Sequence, residues 1–450
     1  MYTLQKYSEE RKILKWFNFF EKNRDMKHPF GRGINASISP KEEELFHQSY
    51  EAFENKETLQ AYKLFFESLE NFTNDISNEN ILLVQEEEKL NFTIYQGTAT
   101  IYGYVTSQHL YAEVNIIRGA LANVALKRYL LERNYQFTYA SYFTDDDFIK
   151  LKIYHDNITM SPQKIFFPLR EIALNADFDR EYILCEFDDI TIEEIEHLVP
   201  LDEKELAIKY KYMQQWIDEL EHRIHTFPSH DNGGMQAFSC LNLLLKIDYL
   251  LVPKYDIYQK LSQKIQEYFL QENLSIEAKN EELKEYIDTL KEMPYTTFSK
   301  MFYNAKYTFN PTDKTSQEEI NTFITESLAK IRWYKSNRYD QIIPTIYKYI
   351  AFYILYNYGL HPVSRTLLHM LVEIQNQDFF LELEYDELYN TENNSFAQRQ
   401  IIARIEDSIT PYQSQFKSLK TFGELLDFSS LNDFSNSFYI QFKSLNYEEV

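Results

Sequence analysis

The stretch NFTIYQGTATIYGYVTSQHLYAEVNII (Asn91–Ile117) decides the fold of the first third of the chain. Phe92 and Ile94, then Thr98, Thr100, Tyr102 and Tyr104, then Leu110, Ala112, Val114 and Ile116 recur at every second position. Successive side chains of a strand point to opposite faces, so this period sets one row against a core and leaves the other row outside. Aromatic and β-branched residues suit such a pleated, half-buried surface. With turns at Gln96-Gly97 and Thr106-Ser107, the region Ile81 to Ile117 is expected to form three antiparallel strands.

Upstream, Leu45, Phe46, Tyr50, Phe53, Leu59, Tyr62, Phe65, Phe66 and Leu69 recur at helical spacing, with an interruption near Asn55. This predicts one or two helices over 42–72. Residues 1–40 are an N-terminal extension, with a short amphipathic helix around Ile13 to Phe20 and a turn-rich break at His28-Pro29-Phe30-Gly31-Arg32-Gly33. Downstream, a helix is expected from Gly119 to Arg133. It is apolar on two sides: Leu121, Val124 and Ala125 share one, Leu126, Tyr129 and Leu130 another. If the first group packs on the sheet, then Leu126, Tyr129, Leu130 and Arg133 remain to contact a partner. Two strands (Tyr135–Phe143, Phe148–Tyr154) flank Asp145-Asp146-Asp147, read as a hairpin tip. Ser161-Pro162 supplies an N-cap and a first-turn proline for a helix to about Ala176.

The resulting order over 42–187, α-β-β-β-α-β-β-α with an antiparallel sheet, resembles the type III secretion chaperone-like fold, including YbjN-type bacterial domains. The stretch from Asn134-Tyr135-Gln136 to Asp147, leading from the central helix into an acidic-tipped hairpin, carries the resemblance. It implies a small α+β domain, here 41–187, that dimerises or docks through its central helix and binds protein segments without a cofactor. The long extension and the fusion to further helices depart from the free-standing secretion chaperones.

An acidic linker follows at 188–200, then an all-helical domain at 201–410. Leu206, Tyr210, Met213, Ile217, Leu220 and Ile224 alternate spacings of four and three, a narrow packing seam. Further periodic segments run about 235–252, 254–272, 277–292, 316–335, 339–358, 362–376 and 395–409, broken at Pro253, Pro294, Pro311 and His361-Pro362. They predict stacked helical hairpins. The tail 411–450 reads as less regular and is expected to pack on the helical domain.

Composition narrows the function. A chain of 450 residues exceeds the ~250–300 of a single core, so two or three domains are expected. Only 9 Gly stand against 36 Tyr and 34 Phe, which disfavours glycine-rich phosphate loops. The aromatic excess itself follows from an A/T-rich coding bias. A net charge of −23 repels phosphate backbones, so nucleic acid is an unsuitable partner. Cys185 and Cys240 are too far apart in sequence for a metal knuckle and read as core residues of a reducing compartment. No window supplies the ~18 uncharged apolar residues of a membrane span, and a bacterial cytoplasmic protein is expected.

Two places could carry chemistry. His230-Asp231-Asn232-Gly233-Gly234 opens a helix whose N-terminal amides could hold an anion, although Gly-Gly before a helix is usually a turn. Arg365, His369 and Glu373 lie at i, i+4, i+8; they read as a solvated charged face, the alternative being a metal or oriented-histidine site. Nucleotide, hydrolase and zinc-protease motifs are absent from the sequence. The expectation is therefore a non-catalytic, chaperone-like or adaptor module that binds a protein partner, a homodimer included, with no cofactor. The alternatives are an enzyme or ligand binder with its site in the helical domain, and an immunity-type protein neutralising a basic toxin.

Overall fold

A computed structural model describes residues 29–31, 40–70, 79–145, 147–187, 190, 197–228, 230 and 232–448. The helix expected around Ile13 to Phe20 lies outside these residues. The N-terminal unit begins with two helices, α1 (Pro40–Glu54) and α2 (Thr58–Ser68), broken close to Asn55 as the spacing implies. They clasp each other through Phe46 on Phe65 and Phe53 on Tyr62.

A six-stranded antiparallel sheet follows, built from β1 (Ile81–Gln85), β2 (Leu90–Gln96), β3 (Ala99–Val105), β4 (His109–Arg118), β5 (Ser141–Thr144) and β6 (Phe148–Asp156). Its spatial order is β1-β2-β3-β4-β6-β5. Four strands, rather than the expected three, precede the central helix α3 (Val124–Arg133). The additional strand, β1, is an edge strand that buries only Ile81 and leaves Leu82 and Val84 exposed, so it lacks a readable alternation. In β2 and β4 the alternating residues point inward as the pattern requires. A long helix, α4 (Pro162–Glu186), crosses the sheet face with Ile165, Leu169, Ile172, Ala176 and Ile183 buried; Ser161 caps it and it continues well past Ala176.

The C-terminal region is largely helical: α5 (Glu203–His225), α6 (Gly233–Lys246), α7 (Tyr255–Leu270), α8 (Ile276–Glu292), α9 (Gln317–Ser336), α10 (Ile343–Asn357), α11 (Pro362–Gln375), α12 (Gln377–Glu382), α13 (Gln398–Ile409) and α14 (Leu431–Phe442). The tail is more regular than its Ser- and Asn-rich sequence implies. Phe434, Phe438, Tyr439 and Phe442 form the buried stripe of α14 and join the helical core. No described helix is long and apolar enough to cross a membrane.

Two cores result, and each receives one phenylalanine from the other half of the chain. Phe30 sits in the helical core, whereas Phe309 sits in the sheet core. Residues 303–313 form an extended strap between α8 and α9. Its start pairs with Val199–Pro200, and the Lys306 carbonyl accepts the Gly97 amide at 2.9 Å. Buried Gln96 then satisfies three main-chain groups: its Oε1 accepts from Thr308 N (3.0 Å) and Phe309 N (2.8 Å), and its Nε2 donates to Phe309 O (3.2 Å). Much of the acidic linker lies outside the described residues, but Ile190 is buried in the sheet core.

Acidic groups also line this junction. Glu181 is buried on α4 and accepts the Tyr303 hydroxyl. Burial, and then the neighbouring Asp177 charge, push its carboxyl up to about 7 against the pull of Lys254 and Tyr303. A carboxyl whose folded pKa is raised binds more protons folded than unfolded, so stability declines as pH climbs from about 4.5 to about 7.

Three outcomes are expected. Phe309→Ala should cost about 3–5 kcal/mol in urea unfolding, and Gln96→Ala about 1–3 kcal/mol, because three buried main-chain groups lose partners. Glu181→Gln should raise the melting temperature at pH 8 yet leave it nearly unchanged at pH 4.5, flattening the pH profile across that window.

Candidate functional site

Of the residues expected to contact a partner, Leu126 and Leu130 face inward, whereas Tyr129 and Arg133 are half-buried. Leu126 and Leu130 are buried in the sheet core, and Leu121, Val124 and Leu131 of the opposite side are exposed. Asn123 caps α3 by accepting the Leu126 amide. Tyr129 and Arg133 are also used internally. The Asp179 carboxylate accepts the Tyr129 hydroxyl (2.6 Å), the Tyr142 hydroxyl (2.5 Å) and Arg133 Nε (2.9 Å). The set Leu126, Tyr129, Leu130 and Arg133 therefore locks α3 to α4 and is not a free surface.

In the His230 to Gly234 loop, Asp231 lies outside the described residues and His230 is exposed. Gly233 and Gly234 serve close packing. A Cβ on Gly233 would stand 2.9 Å from the Ile276 side chain, one on Gly234 2.7 Å from the Tyr334 hydroxyl. The Gly233 carbonyl accepts Asn280 Nδ2 at 2.8 Å, tying the loop to α8.

Arg365, His369 and Glu373 are likewise not a solvated face. Helix α11 is packed from several sides, and both His369 and Glu373 are buried. A buried polar group without a partner is costly, and these side chains contact one another and polar neighbours, although His369 Nε2 approaches Glu373 without hydrogen-bond geometry. The Tyr249 hydroxyl lies 3.0 Å from His369 Nδ1, His369 Nε2 is 3.2 Å from Glu373 Oε1, and Arg404 Nη1 meets Glu373 Oε2 at 2.5 Å. Burial works to raise the Glu373 carboxyl, but His369 and Arg404 outweigh it and hold the group below its ordinary value. Burial pushes the Tyr249 hydroxyl up to about 12.

On this network rests a segment of the N-terminal extension. The Phe30 ring lies 5.0 Å from the His369 ring and 5.3 Å from Phe380, with Tyr385 edge-on at 6.0 Å and Tyr249 stacked at 6.4 Å. Its main chain is held as well. Arg365 Nη2 donates to the Phe30 carbonyl at 2.9 Å, and the Gly31 amide donates to the Tyr249 carbonyl at 2.9 Å. Gly31 has φ +76°, and a Cβ there would come within 2.9 Å of the Tyr249 ring, so only glycine fits. Tyr249 belongs to a π-helical turn, Ile247–Leu251, at the end of α6, a local widening found often at functional sites.

Sequence reasoning singled out Arg365, His369 and Glu373 but missed Tyr249, Phe380, Tyr385 and Arg404. One available signal was the Phe30-Gly31 pair, a bulky apolar residue inside a turn-rich stretch. Among the described residues no group of three or more His, Cys, Asp or Glu side chains is arranged to hold a metal ion. A scan against models of known protein families finds no match, and a search of curated proteins finds none either.

Glu373→Gln should cost about 3–5 kcal/mol in thermal or urea unfolding, because it strands the Arg404 guanidinium beside a buried neutral amide. Stability should also fall faster with acidification in the wild type than in this variant, since a carboxyl held low contributes stability that is lost as pH drops through its folded value.

Proposed function

We propose that this chain is a non-catalytic protein-binding module, chaperone-like in its N-terminal unit, whose helical region grips a basic, Phe-containing segment. What supports this reading is the way the socket holds Phe30: one aromatic anchor in a ring of aromatic side chains, with both groups of the Phe30–Gly31 peptide hydrogen-bonded, the carbonyl to Arg365 and the amide to Tyr249. This is how proteins hold short extended peptides, drawing affinity from a buried aromatic anchor and from the backbone. The occupant in cis is basic, with Arg24, Lys27 and Arg32 around Pro29-Phe30-Gly31. Glu384 and Asp386 flank Tyr385 at the socket, and the chain as a whole carries −23. A partner segment of the same character would be drawn by the same charges. A toxin-neutralising role is one instance of this reading, because such a partner is itself basic. The Tyr249, His369 and Glu373 chain favours a second use, as a small-ligand site laid open once Phe30 leaves.

A labelled peptide spanning Arg24 to Ser37 tests the reading by fluorescence polarisation. The full chain carrying Phe30→Ala should bind it saturably, wild type should bind it far more weakly because its own segment competes, and a peptide with Phe30→Ala should not bind. A folded Phe30→Ala chain that ignores the wild-type peptide would sink the proposal. Light scattering on the same samples tells whether self-association accompanies binding.

A further inference from the structure

The chain leaves the aromatic socket through a short connector that also holds the strap. Tyr249 fixes its start: the hydroxyl meets His369 Nδ1 at 3.0 Å, the carbonyl accepts the Gly31 amide at 2.9 Å, and the ring stacks on Phe30. Its end is fixed by the strap and the residues just before it. The Lys254 amide donates to the Met301 carbonyl at 2.8 Å, Lys254 Nζ donates to the Tyr307 hydroxyl at 2.6 Å, and the Tyr255 ring lies 5.3 Å from that of Tyr303. Tyr303 in turn donates its hydroxyl to Glu181 on α4. Between these holds the backbone is strained. Val252, directly after the π-helical turn Ile247–Leu251, has φ +54° and ψ +54°, and Tyr255 has φ +52°. A left-handed conformation is a genuine outlier for a β-branched residue and uncommon for any residue but glycine. No glycine relieves it, because the sequence from 247 to 255 reads IDYLLVPKY, and Pro253 fixes one more φ.

Conformations of this kind persist only where the surroundings over-determine them, and they gather at switches. Here the surroundings are the two ends, with one further hold in the middle, Lys209 Nζ on the Leu251 carbonyl at 2.9 Å. When Phe30 leaves, Tyr249 loses the Gly31 amide and its aromatic cover. A π turn carries about one residue more than the α turn it interrupts, so its reversion to α-helix moves everything that follows it. We propose that the connector Ile247–Tyr255 couples the socket to the junction: departure of the Phe30 segment relaxes the π turn and Val252 and draws Lys254 and Tyr255 away from the strap. The coupling is reciprocal, so a loosened strap weakens the hold on any segment seated in the socket. An occupied socket therefore keeps the two cores clasped, and an empty one frees residues 303–309 from β2. This deepens the peptide-binding reading and rests on its premise that the Phe30 segment is exchangeable; Phe30→Ala imposes the emptied state whether or not a partner segment exists.

Amide hydrogen exchange of the full chain, read by mass spectrometry over 96–98 and 303–309, is the test. In Phe30→Ala the Gly97, Thr308 and Phe309 amides, which donate to the Lys306 carbonyl and to Gln96 Oε1, should exchange about fivefold faster or more. Ile324→Ala, a cavity in the same helical core on α9, should not accelerate them. Val252→Gly should abolish the response to Phe30→Ala, because glycine holds the left-handed conformation without strain. A peptide spanning Arg24 to Ser37 should slow the strap again in the Phe30→Ala chain, and should bind more weakly once Gln96→Ala is added. Wild-type exchange rates in a folded Phe30→Ala chain, or equal acceleration by Ile324→Ala, would overturn the coupling. If the peptide does not bind the Phe30→Ala chain, the peptide-binding reading fails, and the exchange comparison alone decides whether the coupling stands.

Discussion

The exchange of two phenylalanines between two cores is the constraint on which the architecture depends. Phe309 leaves the helical half and is buried under the sheet, while Phe30 precedes the sheet half in sequence and is buried among α6, α11 and α12. Each burial removes a large apolar surface from water, and each ties together segments separated by more than a hundred residues. The halves therefore cannot unfold independently without exposing a ring and several main-chain groups. Gln96 makes the strap specific, since its single amide matches two N–H donors and one carbonyl in a buried position where water cannot substitute.

The same exchange explains why α11 carries polar residues into the interior. A helix enclosed by neighbours has no solvated side, so any polar residue on it must find a partner inside. Arg365 finds the Phe30 carbonyl, His369 finds Tyr249 and Glu373, and Glu373 finds Arg404. Without the Phe30 segment, Arg365 would lose one carbonyl acceptor and His369 its aromatic cover. The polar network and the inserted segment thus support each other, and this is why the socket reads as a place for peptide rather than as a solvent-filled cleft.

Much of the fold was legible because contrast between apolar and polar positions is written directly in the periods of two and 3.6. The inward rows of β2 and β4 and the bounds of α5, α8, α9 and α11 follow from it closely. Where contrast fails, so does the reading. Helix α3 is apolar on two sides, and periodicity tells which residues share a side but not which side meets the sheet; Leu126 and Leu130 went inward and Val124 outward. On α11 the polar side looked solvated because a stripe of charge normally is, and only the three-dimensional enclosure shows otherwise. Edge strand β1 gave no alternation, having just one buried residue. Partners such as Tyr249, Phe380 and Arg404 are distant in sequence from Phe30, and no local pattern links them.

Charge and shape divide the labour at the socket differently from what the net charge suggests. At physiological salt a surface charge is screened beyond about 8 Å, so most of the acidic surplus acts on approach and contributes little once a segment is seated. The nearby acids are partly engaged already, Glu384 with Lys204 and Asp386 with Arg404. Seated affinity must then come from the aromatic ring and from hydrogen bonds to the main chain at Arg365 and Tyr249, which are short-range and, being at least partly enclosed, depend little on salt. A segment with the right charges but no aromatic residue would be attracted and released, whereas one with a suitably placed Phe followed by Gly would be retained.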